Sequence, residues 1–246
     1  MSYTSFDVVA AEYDHVRPDY PPQLFDALES AMGQPLLRAD VLDVGAGTGI
    51  ATRALAGRGA EVVAVEPGPG MLEVLRHRST SRVHPVRADG NALPLRDESF
   101  DLVTYAQSFH WTDPDRSVPE ALRVLRPGGV LALWWNRHDR SVPWYVEHER
   151  RLFAAVDAPQ QADESWVADV LRAPPYSRRV ATVELPWSRR LSVEDFGRGL
   201  HTQSYVFALG DAAGPVVQGE LAQLRRQFPD GELVEAFVTY VVLARR

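Results

Sequence analysis

Residues 41–55 read VLDVGAGTGIATRAL, a stretch with a strand-like start, a glycine loop and a helix-like end. Its glycines stand at 45, 47 and 49. Because glycine has no Cβ, Gly45 and Gly47 permit a sharp turn and let a ligand touch main-chain atoms. The helix predicted to begin near Gly49 directs its N–H groups and the positive end of its dipole toward the same place. The stretch therefore predicts a ligand that lies against the backbone where a strand turns into a helix.

Strand-like and helix-like segments alternate through the first 136 residues. The predicted strands are short and apolar or β-branched, and they cover 41–44, 62–66, 83–87, 101–106 and 130–135. The predicted helices cover 6–14, 21–33, 49–58, 68–78 and 114–126. This alternation predicts an α/β fold with a doubly wound, mostly parallel sheet covered on both faces. Ligands bind such sheets at the carboxyl ends of the strands, which is where the glycine loop falls.

The pattern changes after Asn136. We expect mainly helical structure over 143–172, 192–209 and 216–228, and strands over 180–187 and 233–244. The second half therefore predicts a helical insertion at the edge of the sheet, with two closing strands that bring the sheet to seven. The last strand is expected to be antiparallel.

Composition narrows the possible partners. The chain has 246 residues, a net charge of −7, no cysteine and no lysine. An acidic chain argues against nucleic acid, because phosphate binding relies on clustered cations. We see no run of 18 apolar residues and no signal-peptide pattern, so we expect a cytoplasmic protein without a membrane partner. Without cysteine there is no thiolate metal site, and EHERR at 147–151 departs from the zinc motif HExxH, so no metal is expected.

The loop spacing and two acids indicate which cofactor lies there. The glycines follow G-x-G-x-G rather than the G-x-G-x-x-G of dinucleotide-binding proteins. Asp43, directly before the loop, would repel a pyrophosphate and suits a ligand that carries an ammonium group. Glu66 ends the second predicted strand, where a carboxylate can accept hydrogen bonds from both hydroxyls of a ribose. S-adenosylmethionine has an ammonium, a ribose and no phosphate.

Five motifs carry a resemblance to a known family: DVGAGTG at 43–49, VEPGPGML at 65–72, ADGNALPLRDESFDLV at 88–103, AQSFHW at 106–111 and LRPGGVLAL at 125–133. With them, the chain resembles the class I S-adenosylmethionine-dependent methyltransferases of the small-molecule, type 11 kind, over roughly residues 5–136. That family has a Rossmann-like fold. The opening AAEYDHVRPDYP at 10–21 is similar to the N-terminal lid of the family.

The resemblance implies a cofactor-binding set drawn from the lid, the glycine loop and the strand ends. Its members are Tyr13, Arg17, Asp43, Gly45, Ala46, Gly47, Thr48, Glu66, Pro67, Met71, Asp89, Gly90, Asn91 and Gln107. By position, the loop would line the methionine part, Met71 would pack on the adenine, and Asp89 would accept from its amine. Tyr13 and Arg17 would close over the cofactor carboxylate. Each has a structural alternative as well: Asp89 as a helix cap, Met71 as core, and Arg17 as a solvated cation.

We interpret the chain as one methyltransferase domain over residues 1–246. Residues 1–36 would form lid helices, 37–136 the cofactor-binding core, 137–210 a mainly helical cap that holds the substrate, and 211–246 a closing helix and strand.

The methyl acceptor is less evident in the sequence. A hydroxyl or amine acceptor would benefit from a base, and histidine suits neutral pH. The candidate catalytic residues are His110 after the fourth strand, His15 in the lid, and His138 after the fifth strand, where Asp139 could orient it. His148 is expected on the surface or in a helix. The candidate substrate contacts are Tyr20, Trp111, Trp135, His201 and Tyr205. Trp134 and Trp135 should face opposite sides of their strand, so that one is core.

The sequence therefore predicts S-adenosylmethionine-dependent methyl transfer to a small molecule, with oxygen as the favoured acceptor atom, by a monomer or homodimer. Two alternatives stay open. One is a protein that binds the cofactor without transferring methyl, as a cyclase or a regulatory module. The other is an NAD-dependent oxidoreductase.

Overall fold

The computed structural model describes residues 10–156, 164–176 and 178–246, and its centre is a seven-stranded sheet. The strands are β1 (Asp40–Val44), β2 (Glu61–Val65), β3 (Val83–Val86), β4 (Phe100–Ala106), β5 (Leu125–His138), β6 (Val180–Ser192) and β7 (Glu232–Arg245). Their order across the sheet is β3-β2-β1-β4-β5-β7-β6. The predicted α/β doubly wound fold is confirmed.

Four strand pairings are parallel, and the last strand of the chain is antiparallel to both of its neighbours. β1 pairs with β2 and β4, β2 pairs with β3, and β4 pairs with β5, all in parallel. β7 lies antiparallel between β5 and β6. Since parallel strands end at the same edge, the carboxyl ends of β1, β2, β4 and β5 meet there. The predicted antiparallel last strand is thus present.

Ten α-helices flank or extend the sheet in the described residues. They are α1 (Ala10–Val16), α2 (Pro22–Met32), α3 (Ile50–Gly57), α4 (Pro69–Arg78), α5 (Pro114–Val124), α6 (Pro143–Val156), α7 (Trp166–Arg172), α8 (Val193–His201), α9 (Ser204–Phe207) and α10 (Ala213–Gln227). The helix predicted at 6–14 lies partly outside the described residues. The helical stretch predicted at 143–172 contains two helices, α6 and α7. None of the helices described is long and apolar enough to cross a membrane.

The three longest strands exceed their predicted bounds. β5 spans 14 residues, β6 spans 13, and β7 spans 14. The excess arises because β7 pairs with β6 along the whole of β6, from Val180 opposite Ala244 to Ser192 opposite Glu232. Apolar periodicity detects the buried middle of such a strand and misses its exposed ends. β6 also lies inside the stretch expected to form the cap, where it is the edge strand of the sheet.

Two apolar layers cover the sheet. One packs side chains of α2, α3 and α4 on one face, and the other packs α5 and α7 on the opposite face. Trp134 belongs to the first layer and Trp135 to the second, as their adjacent positions on β5 predict. A third cluster joins α6, α8 and α10. The helix α10, expected with the closing strand, therefore packs within the cap.

Candidate functional site

A cavity of about 460 Å³ opens where β1, β2, β4 and β5 end, and α1 covers part of it. Most of the expected cofactor residues lie on its wall. They are Tyr13, Arg17, Gly45, Ala46, Gly47, Thr48, Glu66, Pro67, Met71, Asp89, Gly90 and Gln107. Asp43 and Asn91 are not among the residues that line it. The volume is within the usual range for small-molecule sites.

The glycine loop has the conformation that only glycine adopts without cost. Gly45, Gly47 and Gly49 have φ angles of +69°, +58° and +89°. A Cβ on Gly45 would lie 2.5 Å from Cβ of Ser108. A Cβ on Gly47 would meet no described atom within 4 Å, because that position faces the cavity. The loop is fastened to β2 by N–H groups of Gly45 and Ala46, which donate to the carbonyl of Val65 at 2.8 and 3.0 Å.

Glu66 brings a carboxylate to the cavity wall directly after β2. The side chain is 6% exposed. Its Oε2 accepts from the backbone N–H of Gly47 at 2.9 Å, and its Oε1 accepts from that of Gly68 at 2.8 Å. These bonds orient the carboxylate before any ligand arrives. A carboxylate can accept more than two hydrogen bonds, so it can also receive ligand hydroxyls.

Oγ1 of Thr48 and Nε of Arg17 lie on the wall and are buried without a hydrogen-bond partner among the described residues. The Arg17 guanidinium lies 4.6 Å from the ring centroid of Tyr13, and its Nη2 donates to the carbonyl of Thr202 at 2.6 Å. Buried polar groups are normally paired, so these atoms indicate a polar ligand.

Helix α1 is fastened to the core through the buried carboxylate of Asp14. Arg53 on α3 donates to it at 2.8 Å, and Arg78 of α4 also pairs with it. Arg53 donates in addition to the carbonyl of Thr48 at 2.6 Å. One arginine thus bridges the covering helix and the glycine loop.

Asp89 and Asn91 have local roles that the sequence left open. Asp89 lines the cavity while its Oδ1 accepts from the N–H of Asn91 at 2.9 Å, so the structural and the ligand-facing interpretations are compatible. The Oδ1 of Asn91 accepts from the N–H of Asp113 at 2.8 Å. Asp113 is the N-cap of α5. Asn91 therefore holds the start of that helix and does not line the cavity, and its expected contact with the cofactor stays a prediction.

Asp43 is also absent from the cavity wall, because its side chain is buried. Its side chain is fully buried behind the loop, where Thr52 of α3 donates to it at 2.6 Å and Thr104 of β4 donates at 2.9 Å. No cationic partner of Asp43 is found among the described residues. Burial raises the pKa of Asp43 to about 6, although the two hydroxyl hydrogen bonds lower it. Asp43 does not line the cavity, and its expected contact with a ligand ammonium stays a prediction.

We expect Asp43→Asn to be at least as stable as wild type at pH 7. An unfolded aspartate titrates near pH 4, so between about pH 4 and 6 the folded state binds a proton that the unfolded state lacks. The contribution of Asp43 to the free energy of unfolding therefore falls as pH rises through that window, by on the order of 2–3 kcal/mol. An asparagine could still accept from Thr52 and could donate to Thr104.

The measurement is denaturant unfolding at pH 4.5, 5.5 and 7, read as the difference between wild type and variant. Asp40→Asn, at the other end of β1 and paired with Arg126, is the matched control and should keep the wild-type trend. A loss of several kcal/mol at pH 7 in Asp43→Asn, with no loss in the control, would contradict this account.

Gln107 is strained at the point where β4 ends. Its φ is +58°, a left-handed conformation that is costly for a residue with a side chain. Its N–H donates to the carbonyl of Trp134 at 2.9 Å, which holds it there. Strain of this kind is concentrated at functional positions, and Gln107 lines both the main cavity and a second recess next to it.

The structure separates the four candidate histidines. His110 lines the main cavity, and its Nδ1 accepts from Nε1 of Trp135 at 3.3 Å. His15 and His201 line neither cavity, and His15 is exposed on α1. Their expected roles as base and substrate contact stay predictions, which no contact in the two cavities supports. His138 lines the second recess, where Glu235, and not the expected Asp139, contacts its ring at 2.8 Å.

The remaining substrate candidates divide between the two spaces. Tyr20, Trp111 and Trp135 line the main cavity, and Tyr205 lines the second recess. His148 is in a helix as expected but is 1% exposed, so the surface alternative is wrong for it.

Several wall residues were not expected from the sequence: Asn136, Arg137, Glu164, Trp166 and Gln203. The first two follow from the rule that sites lie at the carboxyl ends of strands, since both lie near the end of β5. The others belong to the cap, where no local motif marks them.

A doubly wound sheet with a glycine loop after β1 and an acid after β2 is typical of a protein that binds a nucleoside-containing cofactor at the carboxyl edge. Comparison with known proteins identifies the family within this class. The methyltransferase domain family matches residues 42–133. An uncharacterized methyltransferase-like protein of Schizosaccharomyces pombe is 32% identical over 230 residues, which are 92% of this chain and 87% of that protein. The chain belongs to the class I S-adenosylmethionine-dependent methyltransferase family.

Other similarities agree with this assignment. An uncharacterized methyltransferase of Mycobacterium tuberculosis is 45% identical over 143 residues, and the match spans 58% of this chain and 56% of that relative's length. A demethylmenaquinone methyltransferase of Renibacterium salmoninarum is 31% identical over 206 residues, covering 74% of this chain and 84% of that protein. A solved structure from Anaeromyxobacter dehalogenans, named as a candidate type II methyltransferase, aligns with a TM-score of 0.71 and 28% identity, covering 93% and 97% of the two chains.

Proposed function

We propose that the chain transfers the methyl group of S-adenosylmethionine to a hydroxyl oxygen of a small molecule by direct displacement. The observation that carries the proposal is the pairing of Glu66 with Gly47 on the cavity wall. An oriented carboxylate lies beside a stretch of backbone that has no side chain.

The residues present fit this cofactor. Glu66 would hold the ribose hydroxyls, Met71 and Asp89 would contact the adenine, and Arg17 would pair with the cofactor carboxylate through the Nε that has no described partner. Asp43 does not line the cavity, so the proposed set of contacts does not depend on it. Oγ1 of Thr48 would supply a further polar contact to the ligand. When bound, the cofactor supplies an activated methyl on a sulfonium.

The chain's own contribution is to orient the acceptor and exclude water. Aromatic side chains support this: Trp111, Trp135 and Trp166 lie on the wall of the same cavity. A small-molecule acceptor is favoured by the acidic net charge of −7 and by the relative named for demethylmenaquinone. Transfer to oxygen is favoured by the proton-accepting groups in the second recess, described below.

The first test is calorimetric titration of the purified chain with S-adenosylhomocysteine and, separately, with NAD. We expect S-adenosylhomocysteine to bind and NAD to give no heat of binding. The reverse result would support the oxidoreductase alternative and overturn the proposal.

The second test incubates the chain with methyl-labelled S-adenosylmethionine and a panel of phenols, hydroxy acids, carboxylic acids and amines. We expect label on a hydroxyl oxygen, located by mass spectrometry and NMR. Label on nitrogen or carbon would contradict oxygen transfer. Binding of the cofactor without transfer to any panel member would favour the non-transferring alternative.

A further inference from the structure

A recess of about 90 Å³ continues from the main cavity toward the cap. The two spaces share Arg17, Pro18, Gln107, Asn136 and Gln203 on their walls. The recess lies at the ends of β4 and β5. Met71 and Asp89 follow β2 and β3, so they lie at the other side of the main cavity. A molecule that enters it therefore faces the part of the main cavity lined by Gln107 and Arg17.

Three side chains in this recess form a continuous hydrogen-bonded chain. The hydroxyl of Tyr145 lies 2.7 Å from Nδ1 of His138, and Nε2 of His138 lies 2.8 Å from Oε1 of Glu235. Arg189 donates to the other oxygen of Glu235 at 2.7 Å. The rings of His138 and Tyr145 are stacked with centroids 4.0 Å apart, which fixes their relative position. The chain links α6, β5, β7 and β6.

The donor and acceptor roles follow from the carboxylate. An ionised Glu235 can only accept, so Nε2 of His138 carries a proton and donates it. In a neutral imidazole, Nδ1 is then an acceptor, and the hydroxyl of Tyr145 must donate to it. The oxygen of Tyr145 keeps its lone pairs, and Tyr145 lines the recess. The tyrosine oxygen is therefore placed to accept a proton from a molecule in the recess.

The charge states agree with these roles. Burial lowers the pKa of His138 in spite of Glu235, so the imidazole is neutral at neutral pH. Burial raises the pKa of Tyr145 well above its ordinary value, so its hydroxyl stays protonated and can only pass a proton on. Burial would raise the pKa of Glu235, but His138 and Arg189 hold it below its ordinary value. The other charged or titratable groups near His138 are His148 and Glu149.

The lining also indicates the class of acceptor. Glu149 and Glu235 balance Arg17 and Arg189, so the recess offers no net charge for an anionic acceptor. Phe153, Phe196 and Phe237 supply aromatic surface around the polar chain. The lining therefore suits a neutral aromatic hydroxyl better than a carboxylate.

We propose, on the basis of the methyl transfer proposed above, that this recess binds the hydroxyl of a small phenol-type acceptor. In this role Tyr145 is the catalytic residue that takes the hydroxyl proton, and His138 and Glu235 position it and receive the proton it passes on.

The step balances. The acceptor oxygen bonds to the methyl carbon as the carbon–sulfur bond breaks, and that electron pair stays on sulfur to leave S-adenosylhomocysteine. The acceptor proton moves to the oxygen of Tyr145, while the proton of Tyr145 moves to Nδ1 of His138. The resulting imidazolium pairs with Glu235 and later loses its proton to water.

The first measurement does not depend on turnover. Histidine labelled with ¹⁵N in the full chain reports the state of the His138 ring, with phenol, anisole and benzoate as probes. We expect phenol to shift the Nδ1 resonance of His138, and anisole and benzoate to leave it in place. Tyr145→Phe should abolish the shift, and Glu235→Gln should weaken the preference for the Nε2–H tautomer. No shift with phenol, or a shift that persists in Tyr145→Phe, would overturn the proposal.

The second measurement is methyl transfer to phenols that the wild type accepts. Tyr145→Phe should lower kcat by about 100-fold, the lower end of general acid–base effects, with affinity for S-adenosylhomocysteine unchanged. Tyr176→Phe, which removes a hydroxyl bonded to Pro114 away from both cavities, is the matched control and should keep its rate. An unchanged kcat in Tyr145→Phe with normal cofactor binding would overturn the relay alone. Loss of cofactor binding by wild type would overturn the proposed function, while the phenol-induced shift would still report on the recess.

Discussion

Glu66→Ala should lower the affinity for S-adenosylhomocysteine by about 100-fold. The carboxylate is held at the cavity wall by N–H groups of Gly47 and Gly68, at 2.9 and 2.8 Å. A hydrogen bond to a charged group contributes about 1.5–3 kcal/mol, and a ribose offers two hydroxyls to one carboxylate. About 2.8 kcal/mol corresponds to the 100-fold loss. Isothermal titration calorimetry measures it directly.

The control for this variant is on the same strand. Glu61→Ala removes a carboxylate at the opposite end of β2, where it pairs with Arg82 at the surface, and should bind as wild type does. Since alanine at 66 also leaves two backbone N–H groups without their acceptor, Glu66→Gln serves as a second variant that retains an acceptor oxygen. Wild-type affinity in both folded Glu66 variants would remove the ribose assignment.

Gly47→Ala should abolish measurable cofactor binding while the protein remains folded. A Cβ at this position meets no described atom within 4 Å, so the added methyl enters the space of the cavity itself. The backbone cost of a side chain at φ +58° is about 1–2 kcal/mol. In this variant, calorimetry should therefore detect no binding, while denaturant unfolding should show a loss of stability of only about 1–2 kcal/mol.

Substitutions at two other glycines separate the effect of backbone strain from the effect of the space that the added methyl group enters. Gly210→Ala carries the same backbone strain, with φ +56° and no described atom within 4 Å, but does not line either cavity. It should lose about the same stability and bind normally. Gly45→Ala would place Cβ 2.5 Å from Cβ of Ser108 and should cost about 3 kcal/mol or more in stability. Normal binding by Gly47→Ala would show that the ligand does not lie against this loop.

The parts of the site that lie within one motif could be predicted from the sequence. The glycine loop follows the first predicted strand directly and Glu66 ends the second, and parallel strands bring their ends together whatever the details of packing. The alternating strands and helices likewise predicted the order of elements, because apolar periodicity is a local property.

The parts that depend on distant residues could not be predicted in the same way. Asp43 is covered because Thr104, 61 residues away, turns its hydroxyl toward it, and adjacency to the loop gave no sign of this. The partner of His138 is Glu235, 97 residues away, and the pairing of β5 with β7 decides it. Thr52, nine residues after Asp43 on the following helix, was the one nearby signal for burial of the aspartate.

Arg53 connects the covering helix α1 to the glycine loop on the cavity wall. It is bonded to Asp14 on one side and to the carbonyl of Thr48 on the other. Coupling between two sites is reciprocal: an occupant that favours the docked helix is itself retained by that helix, by the same factor. The affinity for a bound molecule would then depend in part on a guanidinium that does not line the cavity.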